Sequence, residues 1–269
     1  MSLPHYLRAL KGVMDRELLR FLHQRERFIS ALVRPLLWLF IFAAGFRSTL
    51  GVAIIPPYET YILYEVYITP GLLGMVQLFN GMQSSLSMVY DREMGSMKTL
   101  LVSPLPRWFL LTCKLLAGVL VSVVQAYVFL LIAFFYGIEA PLEGYLTVLP
   151  ALILSGLMLG ALGLLLSSFI KQLENFAGVM NFVIFPMFFL STALYPLWKV
   201  RESSEALYHL SQFNPFTHAV ELIRFALYGQ FNLSACLVTV GTTVLFLTLA
   251  VLGYNPSKGM MARKGGPGA

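Results

Sequence analysis

The second and third apolar runs of this chain are separated by residues 90–108, which read YDREMGSMKTLLVSPLPRW. This segment carries too many charges to cross a bilayer, so it forms the turn of a hairpin between two membrane-crossing runs. Its apolar residues recur at helical spacing and are followed by a proline stop. These residues are Met94, Met97, Leu100, Leu101 and, as the stop, Pro104. We expect a short amphipathic helix that is suited to contact a soluble partner.

The composition of the chain is that of an integral membrane protein. It is 58% hydrophobic and 12% charged, with a mean hydropathy of +0.74, whereas soluble domains are about 45–50% apolar and about 25% charged. Six runs reach the roughly 20 apolar residues that cross a hydrocarbon core, and none alternates like a strand. They cover residues 28–47, 66–89, 109–136, 146–170, 175–195 and 233–254. The sequence therefore predicts an all-α domain of six transmembrane helices over residues 28–254.

The distribution of basic residues predicts the orientation of these helices. If the N-terminus lies in the cytoplasm, 15 of the 19 Lys and Arg residues fall on the cytoplasmic side, with Arg34 just within the first span. The remaining four are Arg47, Lys199, Arg201 and Arg224. This bias places both termini in the cytoplasm. The net charge of +6 then reflects topology and contact with the anionic headgroups of the bilayer, and we expect no nucleic-acid partner.

The segment before the first span, residues 1–27, is predicted to contain a cytoplasmic amphipathic helix. Apolar and basic residues occupy opposite faces of residues 5–22, which is typical of a helix at the membrane interface. Glu17 falls on the apolar face, which favours packing of the later part of the helix on protein. A simple basic topogenic tail is the alternative. At the other terminus, residues 255–269 are rich in Gly and Lys and are expected to form a flexible tail.

The second predicted span carries polar side chains on one helix face. Gln77, Asn80 and Ser84, followed by Ser87, recur at spacings of three and four residues. Contact with lipid would leave their amides and hydroxyls without hydrogen-bond partners, so this face must be directed inward. Hydrogen bonding between helices and the lining of a pathway both meet this condition.

The fourth and fifth predicted spans carry small and aromatic residues. Gly156 and Gly160 form a small-xxx-small pair, which predicts close packing of two helices. In the fifth span, the residues of interest are Asn181, Phe182, Phe185, Pro186 and Phe189. The proline removes a backbone donor and predicts a kink, while the phenylalanines offer an apolar wall to a substrate or to a neighbouring helix.

The outer segment after the fifth span, residues 196–232, contains a further predicted helix. Asn214 suits the N-cap position and Pro215 the first helical position. Glu221 and Arg224 fall on the polar face of this helix. At about 14 residues it is too short to cross a bilayer. We expect a re-entrant helix that dips into the outer leaflet.

The chain has few of the residue patterns that enzymes and ion-coupled carriers use. It contains no phosphate-binding loop, so we expect no ATP hydrolysis by this chain alone. Its four histidines lie outside the predicted spans and no HExxH motif occurs, so no catalytic residue and no metal site are predicted. The two cysteines are expected to pack as small apolar residues. The predicted spans have no clear central charge, which points to an energy source outside the chain.

Three motifs in a fixed order resemble a known family. They are Asp91–Pro104, Phe189–Leu197 (FLSTALYPL) and Asn214–Arg224 (NPFTHAVELIR), set between a basic N-terminal helix and a last span. Over nearly the whole chain, this arrangement resembles the type-2 permease subunits of ATP-binding-cassette (ABC) exporters, the group that includes nodulation-factor, polysaccharide and drug exporters. The first motif alone is moderately specific, and the three together are a strong signal.

The resemblance implies roles for particular segments. Residues 91–104 would be the coupling helix that docks on a separate ATP-binding subunit, and residues 5–25 would be the connecting helix on the cytoplasmic face. The coupling positions would be Asp91, Arg92, Glu93, Gly95, Leu100, Leu101, Ser103 and Pro104. The substrate path would run between two permease copies, lined by the second and fifth spans. Its residues would be Gln77, Asn80, Ser84, Asn181, Phe182, Phe185 and Phe189.

The resemblance also implies an assembly of two permease copies, a homodimer, with two ATPase subunits in the cytoplasmic membrane of a bacterium. This chain would hold no cofactor, because ATP and Mg²⁺ would be bound by the ATPase subunits. The substrate would be an amphipathic or hydrophobic drug, lipid or glycan-type molecule. A self-contained channel or a membrane-embedded lipid-modifying enzyme is the alternative interpretation of the same apolar chain.

Overall fold

The computed structural model describes residues 3–23, 25–42, 45, 55–93, 106–170 and 172–253. Over these ranges the chain forms ten α-helices and no β-strand, which confirms the all-α prediction. The helices are α1 (Leu3–His23), α2 (Arg25–Leu37), α3 (Tyr64–Glu93), α4 (Arg107–Phe135), α5 (Gly144–Phe169), α6 (Leu173–Phe189), α7 (Leu197–Ser203), α8 (Glu205–Phe213), α9 (Pro215–Leu227) and α10 (Leu233–Gly253). One π-helical turn, Trp38–Phe42, continues α2.

Helix α3 is the centre of the bundle. It packs against α4, α5, α6 and α9, and every residue from 67 to 82 is buried. Its 30 residues extend about 45 Å at about 1.5 Å per residue, which exceeds the roughly 30 Å of a hydrocarbon core. Because it is enclosed over most of its length, polar residues on α3 must find partners on neighbouring helices.

Two glycines bring α3 to backbone contact with its surroundings. A Cβ atom on Gly81 would lie 2.8 Å from the carbonyl carbon of Leu159 in α5. One on Gly71 would lie 2.3 Å from the carbonyl oxygen of Ala193, in the turn after α6. Any larger residue at either position would therefore push two backbones apart.

The predicted small-residue pair of α5 lies where α3, α4 and α5 meet. A Cβ atom on Gly160 would lie 2.5 Å from Leu115 Cδ1 in α4, and one on Gly156 would lie 3.4 Å from Val119 Cγ1. Both glycines are buried. Their missing side chains let α4 pack closely on α5.

Among the residues that the structure describes, three helices are long and apolar enough to cross a membrane: Trp108–Phe135 within α4, and the whole of α5 and of α10. The shorter apolar helix Ala31–Ile41 falls within the predicted first span, and Leu173–Phe189 overlaps the predicted fifth span. Helix α3 contains the predicted second span, but its polar face lowers its hydropathy. Length and composition thus support three spans directly, and the count of six stays a prediction.

The fifth predicted span is shorter than the sequence suggested. Helix α6 ends at Phe189 rather than at residue 195, and Pro186 lies in its last turn. The Leu190 N–H donates to the Pro186 carbonyl at 2.9 Å, and the Ser191 hydroxyl donates to the Phe188 carbonyl at 2.6 Å. Pro186 therefore lies near the end of the helix, where the chain turns.

The bundle has two ends, which are named here by their helices. At the α1 end, α1 packs against the start of α4, with the rings of Tyr6 and Phe109 4.9 Å apart. At the α9 end, α9 packs against α3, α5 and α10. The contact of Tyr6 with Phe109 lies in the early part of α1, whereas the sequence led us to expect a protein contact in its later part, where Glu17 is half-buried.

The outer segment contains more helix than the sequence predicted. Helix α9 begins after Asn214 with Pro215 as its first residue, as predicted, and Gly229 follows it with a φ of 68°. Helices α7 and α8 were not predicted. They are seven and nine residues long, too short for a clear apolar period, although Ser204 caps α8 by accepting from the Leu207 N–H at 3.5 Å.

Candidate functional site

The charged segment between α3 and α4 joins two helix ends at the α1 end of the bundle. Helix α3 continues through residue 93, so the backbones of Asp91, Arg92 and Glu93 belong to its last turn. Helix α4 begins at Arg107, after Pro106 in extended conformation. The other predicted coupling positions, Gly95, Leu100, Leu101, Ser103 and Pro104, lie outside the described residues.

Gln77 is hydrogen-bonded to α5 through both ends of its amide. Its Nε2 donates to the Leu152 carbonyl at 2.8 Å, and its Oε1 accepts from Ser155 Oγ at 2.6 Å. Gln77 and Ser155 are both buried. The amide therefore escapes the cost of an unpaired polar group inside an apolar bundle.

Asn80 and Ser84 face α4. Asn80 Nδ2 donates to Gln125 Oε1, and Ser84 lies so close to Gly118 that a Cβ there would be 2.8 Å from Ser84 Oγ. The Ser87 hydroxyl donates to the Ser84 carbonyl within α3 at 2.6 Å. In this single copy, Gln77, Asn80 and Ser84 are thus engaged in contacts between helices, one of the two roles that the sequence left open.

A narrow cleft lies beside these contacts, between α3, α4 and α5. Its lining includes Ser84, Ser85, Lys114, Gly118 and Ser122. Its volume is about 10 Å³, which is roughly the space of one water molecule. The cleft within one copy therefore has no room for an amphipathic substrate unless the helices move apart.

The aromatic stripe of α6 is directed away from the bundle. Phe182 is 78% exposed, Phe185 48% and Phe189 39%, and Asn181 is also exposed. Phe185 and Phe189 stack with their ring centroids 6.3 Å apart. The opposite side of α6 carries the buried Phe188. One copy of the chain thus leaves an aromatic face of α6 largely uncovered.

Asn214 fastens the start of α9 to the end of α6. Its Oδ1 accepts from the Phe216 N–H at 3.0 Å, which caps α9. Its Nδ2 lies 2.7 Å from the Met187 carbonyl and 2.6 Å from the Leu190 carbonyl. These carbonyls belong to the last turn of α6 and the residue after it, where helical partners are missing. The asparagine therefore satisfies groups on two helices at once.

We expect Asn214→Ala to lower the free energy of unfolding by about 2 kcal/mol, because it removes both an N-cap and two hydrogen bonds to carbonyls at the end of α6. Asn214→Ser keeps a capping oxygen but has no amide to reach the carbonyls of α6, so it should lose only the contact with α6 and cost about half as much. Titration with SDS in mixed micelles measures both. Equal stability of Asn214→Ala and the wild type would contradict this assignment.

Helix α9 carries the buried Arg224 at the centre of a polar cluster. The Arg224 Nη1 donates to Glu221, one turn earlier, and its Nη2 donates to the Thr192 carbonyl at 2.6 Å. Its guanidinium lies 4.2 Å from the ring centroid of Tyr67 in α3. The Tyr67 hydroxyl donates to the same Thr192 carbonyl at 3.1 Å. A single side chain thereby joins α9, α3 and the turn after α6.

Tyr58, in the loop before α3, borders this cluster. Its ring lies 4.8 Å from that of Tyr228. Burial raises the pKa of Tyr58 far above its ordinary value, although Arg224 lowers it, so its hydroxyl stays protonated. Burial lowers the pKa of Arg224, but the charge of Glu221 and the nearby tyrosines raise it more. The guanidinium therefore stays charged.

The partners of the predicted polar residues were missed by sequence reasoning. Gln125 is an amide within the apolar run of residues 109–136, and Ser155 directly precedes Gly156. The lone amide could have been found as a polar group in need of a partner. Tyr67 and Thr192 gave no such signal, because their contacts depend on how distant segments pack.

Apolar helices around a buried polar network, with an uncovered aromatic face, define a multi-helix membrane protein. The chain belongs to the ABC-2 type transporter family, whose sequence model matches residues 8–228. This match confirms the resemblance seen in the sequence. By family membership, the chain is a transport permease subunit rather than an enzyme. Membership of this family implies a partner ATP-binding subunit.

Three curated relatives illustrate the similarity. The protein named transport permease ycf38 of Cyanophora paradoxa is 26% identical over 263 residues, or 91% of this chain and 85% of that protein. The protein named multidrug ABC transporter permease YbhR of Escherichia coli (strain K12) is 30% identical over 170 residues, or 62% and 45%. Nodulation protein J of Rhizobium leguminosarum bv. viciae is 30% identical over 122 residues, or 43% and 46%.

Proposed function

We propose that this chain is the membrane permease subunit of an ATP-driven exporter of amphipathic or hydrophobic molecules in the cytoplasmic membrane of a bacterium. The observation that carries the proposal is the match of the ABC-2 type transporter family over residues 8–228, on a bundle of apolar helices. The names of two relatives, a multidrug permease and a nodulation protein, favour such cargo. The ATPase, with its ATP and Mg²⁺, is a separate subunit.

In this proposal, residues 91–104 are the coupling helix, and the α1 end of the bundle is cytoplasmic. The segment connects the end of α3 to the start of α4, so a force on it acts on two packed helices at once. Closure of the ATPase subunits on ATP would push residues 92–104 and rotate each half of the assembly. The path would then open to the outside.

The path itself is proposed to run between two copies of the permease. The uncovered aromatic face of α6 supports this placement, and the cleft between α3, α4 and α5 holds only about 10 Å³. Phe182, Phe185 and Phe189 would form the apolar wall. Gln77, Asn80 and Ser84 would hold α3 to α4 and α5. They would be exposed to the path only if transport separated these helices.

The test begins with the affinity-tagged chain expressed beside its genomic neighbours. A permease should co-purify an ATPase of about 25–35 kDa, a size that the family resemblance suggests. We expect Glu93→Lys to reduce ATP-driven uptake of amphipathic fluorescent probes into inverted vesicles about tenfold, while the co-purified ATPase still hydrolyses ATP. Uncoupling of this kind follows if residue 93 sets the contact between the subunits.

Glu143→Lys is the matched control, because Glu143 is an exposed carboxylate at the start of α5, at the α9 end of the bundle. It should transport like the wild type. Undiminished uptake by Glu93→Lys would count against the coupling role. A purified chain that conducts or modifies lipid with no ATPase present would favour the alternative of a channel or a membrane enzyme.

A further inference from the structure

We infer that Arg34 and the aromatic face of α6 form a binding site for an amphipathic anion, in which the guanidinium binds the carboxylate or phosphate group and the aromatic rings hold the apolar part. The inference rests on the proposed function and deepens it, because it names the chemical class of the cargo. It is argued from the position of the Arg34 guanidinium in the bundle.

Arg34 lies far from either end of the bundle. Its guanidinium carbon is 4.3 Å from the ring centroid of Phe79. Phe79 lies near the middle of the 30-residue helix α3, about 21 Å from each end at about 1.5 Å per residue. The Arg34 side chain is nevertheless exposed in the single copy. An exposed cation at this depth is costly in lipid, so it is expected to face a polar cavity or an anionic partner.

The aromatic face of α6 lies on the same side of α2 as Arg34. Trp38 is one helical turn after Arg34, and its ring lies 5.7 Å from Phe188 and 5.9 Å from Phe189. Helices α2 and α6 both run from the α1 end to the α9 end. Arg34 lies one helical turn before Trp38, and Phe185 lies one turn before Phe189. Because the two helices run in the same direction, Arg34 and Phe185 lie at a similar level on α2 and α6. The surface between them is called the groove here.

The chemistry of this groove suits one class of ligand. The contact with the Phe79 ring is a cation–π contact. It does not use the guanidinium N–H groups as hydrogen-bond donors, and these can bind two oxygens of a carboxylate or phosphate. Among the described residues, no carboxylate forms an ion pair with Arg34. The exposed rings of Phe182, Phe185 and Phe189 continue the groove with apolar surface. A ligand with a negative head and an apolar tail would bind the Arg34 guanidinium with its head and the aromatic rings of α6 with its tail.

Arg34 could instead serve only to hold α2 on α3 through its contact with Phe79. That role needs no discrimination between charged and neutral ligands. The experiment therefore compares two probes that differ only in their head: 11-bromoundecanoic acid and 11-bromoundecanol, at pH 8, where the acid is ionised. The bromine quenches tryptophan fluorescence at short range. The chain has three tryptophans, and Trp108→Phe with Trp198→Phe leaves only Trp38, next to the site.

In this single-tryptophan protein, purified without an ATPase, we expect saturable quenching by the acid with an apparent affinity about tenfold higher than for the alcohol. Arg34→Gln should abolish the difference and Arg34→Lys should keep part of it. Arg201→Gln is the matched control, because Arg201 also lies over an aromatic ring, 5.4 Å from the centroid of Tyr208. It should bind like the wild type, and circular dichroism shows that each variant stays helical.

Equal quenching by acid and alcohol would overturn the inference, as would discrimination that survives in Arg34→Gln. Displacement of the acid by inorganic phosphate at similar concentration would show a site for free anions and would also overturn it. Because the assay contains no ATPase, its failure leaves the coupling test untouched. Conversely, failure of coupling in Glu93→Lys would not alter the binding result.

Discussion

Replacing Glu221 with glutamine is expected to lower the free energy of unfolding by about 3–5 kcal/mol, the range found when one partner of a buried ion pair is removed. Arg224 is 2% exposed, so its charge cannot reach water when Glu221 is neutral. Its remaining contacts, the Thr192 carbonyl and the ring of Tyr67, carry no full charge. The loss should appear in SDS titration of the purified protein in mixed micelles.

A double variant tests whether the unpaired charge of Arg224 causes this loss of stability. Glu221→Gln/Arg224→Met removes the unpaired cation and fills its space with an apolar side chain, so it should be more stable than Glu221→Gln alone. Glu202→Gln is the control, because Glu202 is an exposed carboxylate of the same outer segment, and its effect should stay within about 0.5 kcal/mol. A double variant less stable than Glu221→Gln would show that the cluster is held by hydrogen bonds and not by charge balance.

Helix α9 shows what local sequence signals can predict. The Asn214–Pro215 pair determines where the helix begins, because capping and a fixed proline φ act within a few residues. The helical period of the segment placed Glu221 and Arg224 on one face. They could not place Thr192 or Tyr67 beside them, since those residues approach through the packing of α3 and the turn after α6.

The polar residues of α3 show the opposite case. Their periodicity predicted an inward face, and Gln77 and Asn80 are indeed buried. Periodicity within one helix does not tell which neighbour receives that face, so it could not choose between α4, α5 and a path. Arg34 illustrates a related limit. Its position in the sequence placed it just within the first span, but its long side chain reaches a ring near the middle of α3.

Replacing Gly81 with alanine is expected to lower the free energy of unfolding by about 2–3 kcal/mol, within the range for overpacking of a close contact. The new Cβ would lie 2.8 Å from both the carbonyl carbon and the oxygen of Leu159 and 2.9 Å from the Gly160 nitrogen. These are backbone atoms of α5, so relief requires α3 and α5 to separate. Separation would stretch the hydrogen bonds that Gln77 makes to α5.

Gly241→Ala is the matched control for this variant. Gly241 lies within α10, where an added Cβ would meet no atom within 4 Å, so alanine should leave stability unchanged or raise it by up to about 1 kcal/mol through helix propensity. Both variants add one methyl group to a glycine in a helix, and they differ only in what the methyl group meets. If the two had equal stability, the close approach of α3 and α5 would not be a determinant of the fold. If Gly81→Ala alone is destabilised, the same contact also resists any motion that opens the bundle at α3, and transport is then expected to move α3 and α5 as one body.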